Sequence, residues 1–166
     1  MRNPSLKEII HIKISKGISV KELVKRMGNA GFGARNIYLA SSILEKMLGD
    51  KDCKIFFGLA GAMVPAGMKE IVMDILDEVD AFVTTGANLT HDLIEALGEH
   101  HYQGSDLVDD IELNERGIDR IYNVFMKNSV YEKLEDFFEK NFEVLANCKT
   151  IKEFLWKLGE LVPGDG

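Results

Sequence analysis

Two short segments of this sequence have residue types and spacings that could do chemistry. In residues 58–69, GLAGAMVPAGMK, glycines and alanines would let the backbone approach a ligand closely. A helix expected directly after them would offer free N–H groups to a pyrophosphate. The spacing matches neither GxGxxG nor GxxxxGK[ST]. The segment predicts a nucleotide site, and the alternative is a tight strand-to-helix turn needed only for packing.

The second segment, residues 84–92, reads TTGANLTHD and gathers hydroxyls, an amide, an imidazole and a carboxylate. Such a density of polar groups beside a buried strand is typical of a binding or catalytic site. The alternative is that Thr90 and Asp92 cap the next helix and that His91 is a surface residue. The residues alone leave both interpretations open.

The other polar residues give weaker evidence of a functional site. The adjacent pair His100 and His101 lacks the i, i+4 spacing of an HExxH site, and Cys53 lies far from Cys148, so we expect no metal. An acidic cluster follows at Asp106, Asp109, Asp110 and Glu112. It could attract a polyamine, and the alternative is a solvated helix start.

Composition limits the class of protein. The 166 residues are 46% hydrophobic and 28% charged, which predicts a packed globular core and excludes a disordered chain. This length suits one domain or half of a large α/β enzyme. The net charge of -7 argues against broad nucleic-acid binding and tolerates a cationic ligand. With two cysteines and no apolar run near about 18 residues, we expect a cytoplasmic protein without a membrane span.

The hydrophobic pattern predicts a β-α-β-α order that would position both segments. Apolar runs at residues 55–60 and 79–85 read as strands, each followed by an amphipathic helix, the second from about Thr90 to Leu97. This alternation predicts a parallel α/β sheet with helices on both faces. In such sheets ligands bind beyond the carboxyl ends of the strands, where both segments fall.

The flanking regions are predicted to be mainly helical. We divide the chain into a helical lead-in (1–50), the β-α-β-α region (51–100) and a remainder (101–166). Ser19 with Glu22 predicts the cap of a first helix that stops at Gly28, and a longer helix stops at Gly49. In the remainder we expect a strand within 117–125, a helix over 131–145 and a last helix capped by Thr150 and Glu153. Two or three strands are fewer than the about four to six of a typical sheet. Either further strands lie in a partner chain, or the hydrophobic pattern does not reveal them.

The sequence resembles the deoxyhypusine synthases, and the archaeal branch in particular. The resemblance is carried by DCKIFFGLAGAMVPAGM at 52–68, VTTGANLTHDLIEAL at 83–97 and ELNERGIDRIY at 112–122. It implies a Rossmann-like, NAD-dependent transferase that moves the aminobutyl group of spermidine onto a lysine of translation initiation factor 5A. It also implies imine capture by an enzyme lysine, and a tetramer with active sites at subunit interfaces.

The resemblance also implies roles for individual residues. NAD contacts fall by position on Gly61, Ala62, Met63, Val64, Pro65, Thr85, Gly86 and Ala87. His91 falls where eukaryotic members have an acidic NAD contact, and Thr90 falls where they have an acidic spermidine contact. Archaeal-type members share Thr-His here, which we interpret as a branch difference. A family member acting on another amine, of homospermidine type, stays an alternative.

The resemblance reaches only the N-terminal half of the family, whose catalytic lysine lies in the other half. None of the lysines late in this chain has a neighbouring sequence that matches the family's catalytic lysine; these are Lys127, Lys133, Lys140, Lys149, Lys152 and Lys157. We expect a subunit that needs a C-terminal-half polypeptide to carry that lysine. The alternatives are an inactive regulatory or scaffold subunit of a full-length paralogue and a truncated gene.

Overall fold

The computed structural model describes residues 6–163 of this mixed α/β protein. The described residues form two compact units, one ending at Ile55 and the other beginning at Phe56. No helix within residues 6–163 is long and apolar enough to cross a bilayer.

The first unit contains two helices, α1 (Val20–Met27) and α2 (Phe32–Gly49). As predicted, the Ser19 hydroxyl accepts a hydrogen bond from the Glu22 N–H at 3.2 Å, and α1 ends at Gly28. A Cβ on Gly28 would lie 2.6 Å from the ring of Tyr38, so the absence of a side chain lets α1 and α2 pack closely. The longer helix predicted to stop at Gly49 is confirmed as α2, whose first turn is largely exposed.

The second unit opens with the predicted β-α-β-α order. Its elements are β1 (Phe56–Leu59), α3 (Lys69–Leu76), β2 (Ala81–Thr84) and α4 (Gly86–Ala96). Strands β1 and β2 pair in parallel, with Phe56 opposite Ala81 and Leu59 opposite Thr84. The parallel α/β class predicted from the alternating pattern is confirmed.

Helix α4 begins at Gly86, so the start predicted near Thr90 is wrong. Thr85 is the N-cap residue, and the Thr90 hydroxyl donates within the helix to the Gly86 carbonyl at 3.0 Å. The first turn lacks an apolar stripe, whereas Thr90 and Asp92 are residue types that often cap helices. The alternative that placed His91 on the surface is also wrong, because this side chain is only 8% exposed.

The expected strand at 117–125 is instead a hairpin in a separate antiparallel sheet. That sheet contains β3 (Tyr102–Gln103), β4 (Ile118–Ile121) and β5 (Val124–Lys127) in the order β3-β5-β4, and α5 (Asp110–Glu115) precedes β4. The turn between β4 and β5 is Tyr122 and Asn123, with Tyr122 at φ 53°. Because a tyrosine rarely adopts this left-handed conformation, the sequence gives no clear turn signal there.

Three helices complete the second unit: α6 (Val130–Lys140), α7 (Phe142–Ala146) and α8 (Ile151–Leu161). The single helix predicted over 131–145 is broken at Asn141, whose side-chain amide donates to the Phe137 carbonyl at 2.8 Å. The predicted cap of α8 is confirmed, since the Thr150 hydroxyl accepts from the Glu153 N–H at 3.1 Å. The buried core beneath these helices consists of Leu93, Phe137, Leu145 and Leu158.

The parallel sheet is poorly covered. In the described part of the chain it has only β1 and β2, so each strand keeps one edge without a strand neighbour. Phe56 is 75% exposed and Val83 is 63% exposed. A parallel sheet is normally buried on both faces, so these two side chains form an unusually exposed apolar surface.

Candidate functional site

The two polar segments meet at one end of the parallel sheet. Leu59 and Thr84 are register partners at the carboxyl ends of β1 and β2. The loop of residues 60–68 follows β1, and α4 follows β2 after the single residue Thr85. This is the position where open α/β sheets hold their ligands.

The buried amide of Asn88 ties the loop to the start of α4. Its Nδ2 donates to the Ala60 carbonyl at 2.7 Å and to Thr84 Oγ1 at 2.8 Å. Its Oδ1 accepts a hydrogen bond from the Val64 N–H at 3.3 Å. The sequence showed an amide in this segment but gave no sign that it would bridge to residues more than twenty positions earlier.

Gly61 brings the loop against α4. A Cβ built at Gly61 would lie 2.9 Å from Thr85 Oγ1 and 3.5 Å from the Cβ of Ala87. The glycine is therefore required by a close approach of two chain segments. Residues from both predicted segments are in contact at this point.

The N-terminus of α4 is open to a ligand. The side chain of Thr85 makes no capping hydrogen bond, and Thr85, Gly86 and Ala87 are all exposed. N–H groups in the first turn of a helix have no carbonyl partner within that helix and carry the positive end of its dipole. This end of α4 can bind an anionic group such as a phosphate.

The loop residues predicted to contact NAD, 61–65, are less accessible than the N-terminus of α4. Val64 and Pro65 are buried, whereas Gly61, Ala62 and Met63 are partly exposed. The Val64 N–H is already occupied by Asn88. Val64 and Pro65 thus shape the loop through packing, and the accessible surface is at residues 61–63.

A cavity of about 470 Å³ borders the loop. Its wall includes Pro65, Ala66 and Gly67 from the loop, together with His101 and Gln103 from the segment after α4. The cavity therefore joins the glycine-rich loop to a histidine for which the sequence predicted no binding role.

His91 belongs to a partly buried chain of hydrogen bonds. Its Nδ1 lies 3.0 Å from Nε2 of His101, and Nδ1 of His101 lies 2.7 Å from Oε1 of Glu95. Burial lowers the pKa of His91, the charge of His101 lowers it further, and Glu95 opposes both effects. The i, i+4 spacing of His91 and Glu95 on a helix was the only sequence signal for this group.

Asp92 pairs with Lys69 rather than capping α4. The Lys69 ammonium lies 2.7 Å from Asp92 Oδ1 and joins α3 to α4. That oxygen has no hydrogen-bond partner of good geometry, so the charge of the lysine compensates for its burial. Because this ion pair compensates the charge of the Asp92 carboxylate, it argues against a catalytic or binding role for Asp92.

The acidic cluster is used mainly for structure. Asp109 accepts from the Ile111 N–H at 2.8 Å and so caps α5. Asp110 accepts two hydrogen bonds from Arg120, which lower the pKa of its carboxyl. Among residues 6–163, no three His, Cys, Asp or Glu side chains are arranged to hold a metal ion. The absence of a metal stays a prediction.

Comparison with known proteins identifies the family. The profile of the family described as deoxyhypusine synthase matches residues 22–165. The chain belongs to the deoxyhypusine synthase family.

Curated relatives agree with this assignment. A protein named probable deoxyhypusine synthase 1 from Methanosarcina acetivorans is 42% identical over 156 residues, covering 92% of this chain and 49% of that protein. A protein of the same name from Archaeoglobus fulgidus is 41% identical over 155 residues, covering 92% of this chain and 51% of that protein. A deoxyhypusine synthase-like protein from Chlorobaculum parvum is 37% identical over 170 residues, covering 97% and 47%. The chain spans about half the length of these deoxyhypusine synthase relatives.

Proposed function

We propose that this chain supplies the NAD-binding half of a deoxyhypusine synthase. The reaction is the NAD-dependent transfer of the aminobutyl group of spermidine to a lysine of translation initiation factor 5A. Membership of the deoxyhypusine synthase family supports the reaction class. The proposed acceptor is a translation factor, so the proposed compartment is the cytoplasm.

The contact of Gly61 with Thr85 and Ala87 is the observation that carries this proposal. It creates a place where backbone from the loop and from the open N-terminus of α4 can approach one ligand. Residues 61–63 and 85–87 would contact NAD there, with Val64 and Pro65 shaping the loop and the pyrophosphate at the free N–H groups of Gly86 and Ala87. When bound, NAD would supply the hydride acceptor for oxidation of the amine.

The next turn of α4 would face the amine substrate. The Thr90 hydroxyl already donates its proton to the Gly86 carbonyl, so its oxygen is left to accept from an ammonium N–H. His91 would contact NAD or the amine with the ring nitrogen that His101 does not use. The net charge of -7 favours the approach of a polycation.

The catalytic lysine is proposed to come from a C-terminal-half deoxyhypusine synthase polypeptide. The uncovered strands β1 and β2, with Phe56 and Val83 exposed, support such a partner. Further strands added at these edges would extend the sheet, and helices packed on its exposed face would bury both side chains. We propose a tetramer-like oligomer built from both polypeptides.

A second candidate function is regulation of a full-length deoxyhypusine synthase by assembly with it. The same exposed sheet supports this alternative, because a full-length relative could cover it equally well. Relatives named probable deoxyhypusine synthase 1 and 2 both occur in Methanosarcina mazei, so one cell can contain two family members. The amine could also differ, since Thr90 replaces an acidic spermidine contact.

The function is tested by purifying the protein from its source and identifying bound chains by native mass spectrometry. We expect a partner with the C-terminal half, and transfer from labelled spermidine to translation initiation factor 5A only when both chains are present. A full-length partner that is active alone would establish regulation instead. Release of labelled homospermidine would indicate the other amine reaction.

The substitution Gly61→Val tests the NAD site. Its side chain would collide with Thr85 Oγ1 and fill the space between the loop and α4, so NAD affinity should fall by at least about tenfold. The control is Gly159→Val on α8, where no atom lies within 4 Å of an added Cβ. Calorimetric titration of NAD into the purified complex measures both variants. Equal affinities would contradict the placement.

A further inference from the structure

The direction of the hydrogen-bond chain of Glu95, His101 and His91 depends on the protonation of His101. The Glu95 carboxylate accepts, so the 2.7 Å contact is donated by Nδ1 of His101. When His101 is neutral, its Nε2 accepts the 3.0 Å hydrogen bond from Nδ1 of His91, which leaves Nε2 of His91 without a proton.

Nε2 of His91 is the free end of this chain. It makes no hydrogen bond to another residue in the described range. Within residues 6–163, Asp92 Oδ1 is the fully buried side-chain polar atom that lacks a hydrogen bond, so Nε2 of His91 is not fully enclosed by the protein. Both ring nitrogens of His101 are occupied. A proton can enter the group at His91.

The group lies beside the loop of the proposed NAD site. Ala87 and His91 are one turn apart on α4 and share a face, and Ala87 is the residue that Gly61 approaches. His101 lines the 470 Å³ cavity together with Pro65 and Gly67. His101 thus borders the loop, and His91 lies one helical turn from the residue that Gly61 approaches.

We propose that Glu95, His101 and His91 form a proton relay whose free end, Nε2 of His91, takes a proton from the ammonium group of the amine substrate. This inference rests on the proposed function. An N–H bond of the ammonium breaks as a bond to Nε2 forms, and the Nδ1 proton of His91 moves to Nε2 of His101. The positive charge ends on His101 beside the Glu95 carboxylate. The amine gains the lone pair that its oxidation requires.

The surroundings suit a base that is neutral before reaction. Burial lowers the pKa of His91, so its ring is unprotonated near neutral pH and can accept. His101 and Glu95 are the titratable groups whose charges act on it. Of the nearby charges, Asp92 is paired with Lys69 of α3, and Glu99 is paired with Lys133 of α6. Glu95 and His101 act here as positioning residues.

Nitrogen NMR of the histidine rings in the purified complex tests the relay before any ligand is added. We expect a proton on Nδ1 of both His101 and His91 and none on Nε2 of His91. Glu95→Gln should release this arrangement and lower the pKa of His91 further, because the carboxylate that raises it is removed. Glu99→Gln is the matched control and should leave the ring protons in place. A proton on Nε2 of His91, or equal effects of the two variants, would overturn the relay.

Adding spermidine to the complex saturated with NAD tests the source of the proton. Signals of both rings should move together, and the step of amine oxidation should slow by at least about tenfold in His101→Gln, with NAD affinity kept. His100→Gln is the control, since this neighbour is exposed. If spermidine and NAD bind while both rings stay unchanged, the proposal is refuted. If neither ligand binds, the proposed function fails, and the ligand-free spectra still decide the relay.

Discussion

At the scale of single residues, the site depends on one buried amide. Asn88 makes three hydrogen bonds, and they fix its orientation because Nδ2 meets two acceptors while Oδ1 meets an N–H. The Ala60 carbonyl and the Val64 N–H belong to the loop, so the position of the loop depends on a residue of α4. Packing of this kind keeps a glycine-rich segment in one conformation despite its flexibility.

Replacing Asn88 by alanine should destabilise the fold. The loop would keep polar groups with no partner, so we expect a loss of about 2 to 4 kcal/mol in the free energy of unfolding. The control is Asn147→Ala, because the exposed Asn147 amide makes a single hydrogen bond to the Glu143 carbonyl. It should lose less than about 1 kcal/mol. Urea denaturation measures both, and similar losses would show that the Asn88 network adds little.

Burial of His91 should make stability depend on pH. Its pKa is lowered in the folded state, so the unfolded chain binds the proton more readily. The contribution of His91 is fully present above the unfolded pKa of about 6.5 and is lost as pH falls below it. We expect a smaller drop in the free energy of unfolding between about pH 7 and pH 5 for His91→Gln than for the native protein. Urea titrations at both pH values measure it, and identical drops would argue against a buried neutral His91.

At the scale of elements, helix ends decide where the chain turns. Ser19 and Thr150 cap α1 and α8 through their side chains, and both caps were predicted because the signal lies within four residues. Asn141 and Tyr122 interrupt a helix and a strand that the pattern predicted to be continuous. The Asn141 side chain bonds to the Phe137 carbonyl, and Tyr122 adopts φ 53°, a conformation that the hydrophobic pattern does not signal.

The cap of α8 gives a test at this scale. Thr150→Ala removes the acceptor for the Glu153 N–H and should lower the free energy of unfolding by about 1 kcal/mol. Ser129→Ala is the matched control, since Ser129 is the N-cap residue of α6 but its side chain makes no capping hydrogen bond. Thermal and urea unfolding compare the two. A loss for Ser129→Ala as large as that for Thr150→Ala would contradict the assigned cap.

At the scale of the molecule, the parallel sheet has exposed apolar side chains. Phe56 and Val83 lie on adjacent strands with high exposure, while small parallel sheets depend on buried faces for their stability. The free edges of β1 and β2 can each accept another strand. These features are the reason for proposing assembly with a second polypeptide.

Phe56→Asp should abolish that assembly. A carboxylate on β1 would be desolvated when the sheet is covered, which a nonpolar contact surface does not compensate. The matched control is Phe142→Asp on α7, because Phe142 is similarly exposed, at 67%, and lies outside the sheet. Native mass spectrometry of the two purified variants should show the partner retained only by the control. Retention by both would place the interface elsewhere.

The sequence by itself determined the β-α-β-α order, the caps of α1 and α8, and the two segments at the strand ends. These features depend on residue periodicity and on contacts within a few positions along the chain. The family followed from long matching runs, which the comparison over residues 22–165 confirms. Local patterns were sufficient for all of them.

Only the tertiary structure decided that Asn88 holds the loop, that Gly61 meets Ala87, and that His101 joins His91 to Glu95. It also assigned the strands after α4 to a separate antiparallel sheet. These arrangements join residues up to twenty-eight positions apart, as Asn88 and Ala60 are. Their partners are selected by packing and burial in three dimensions, because a hydrogen bond between distant residues leaves no periodic trace along the chain.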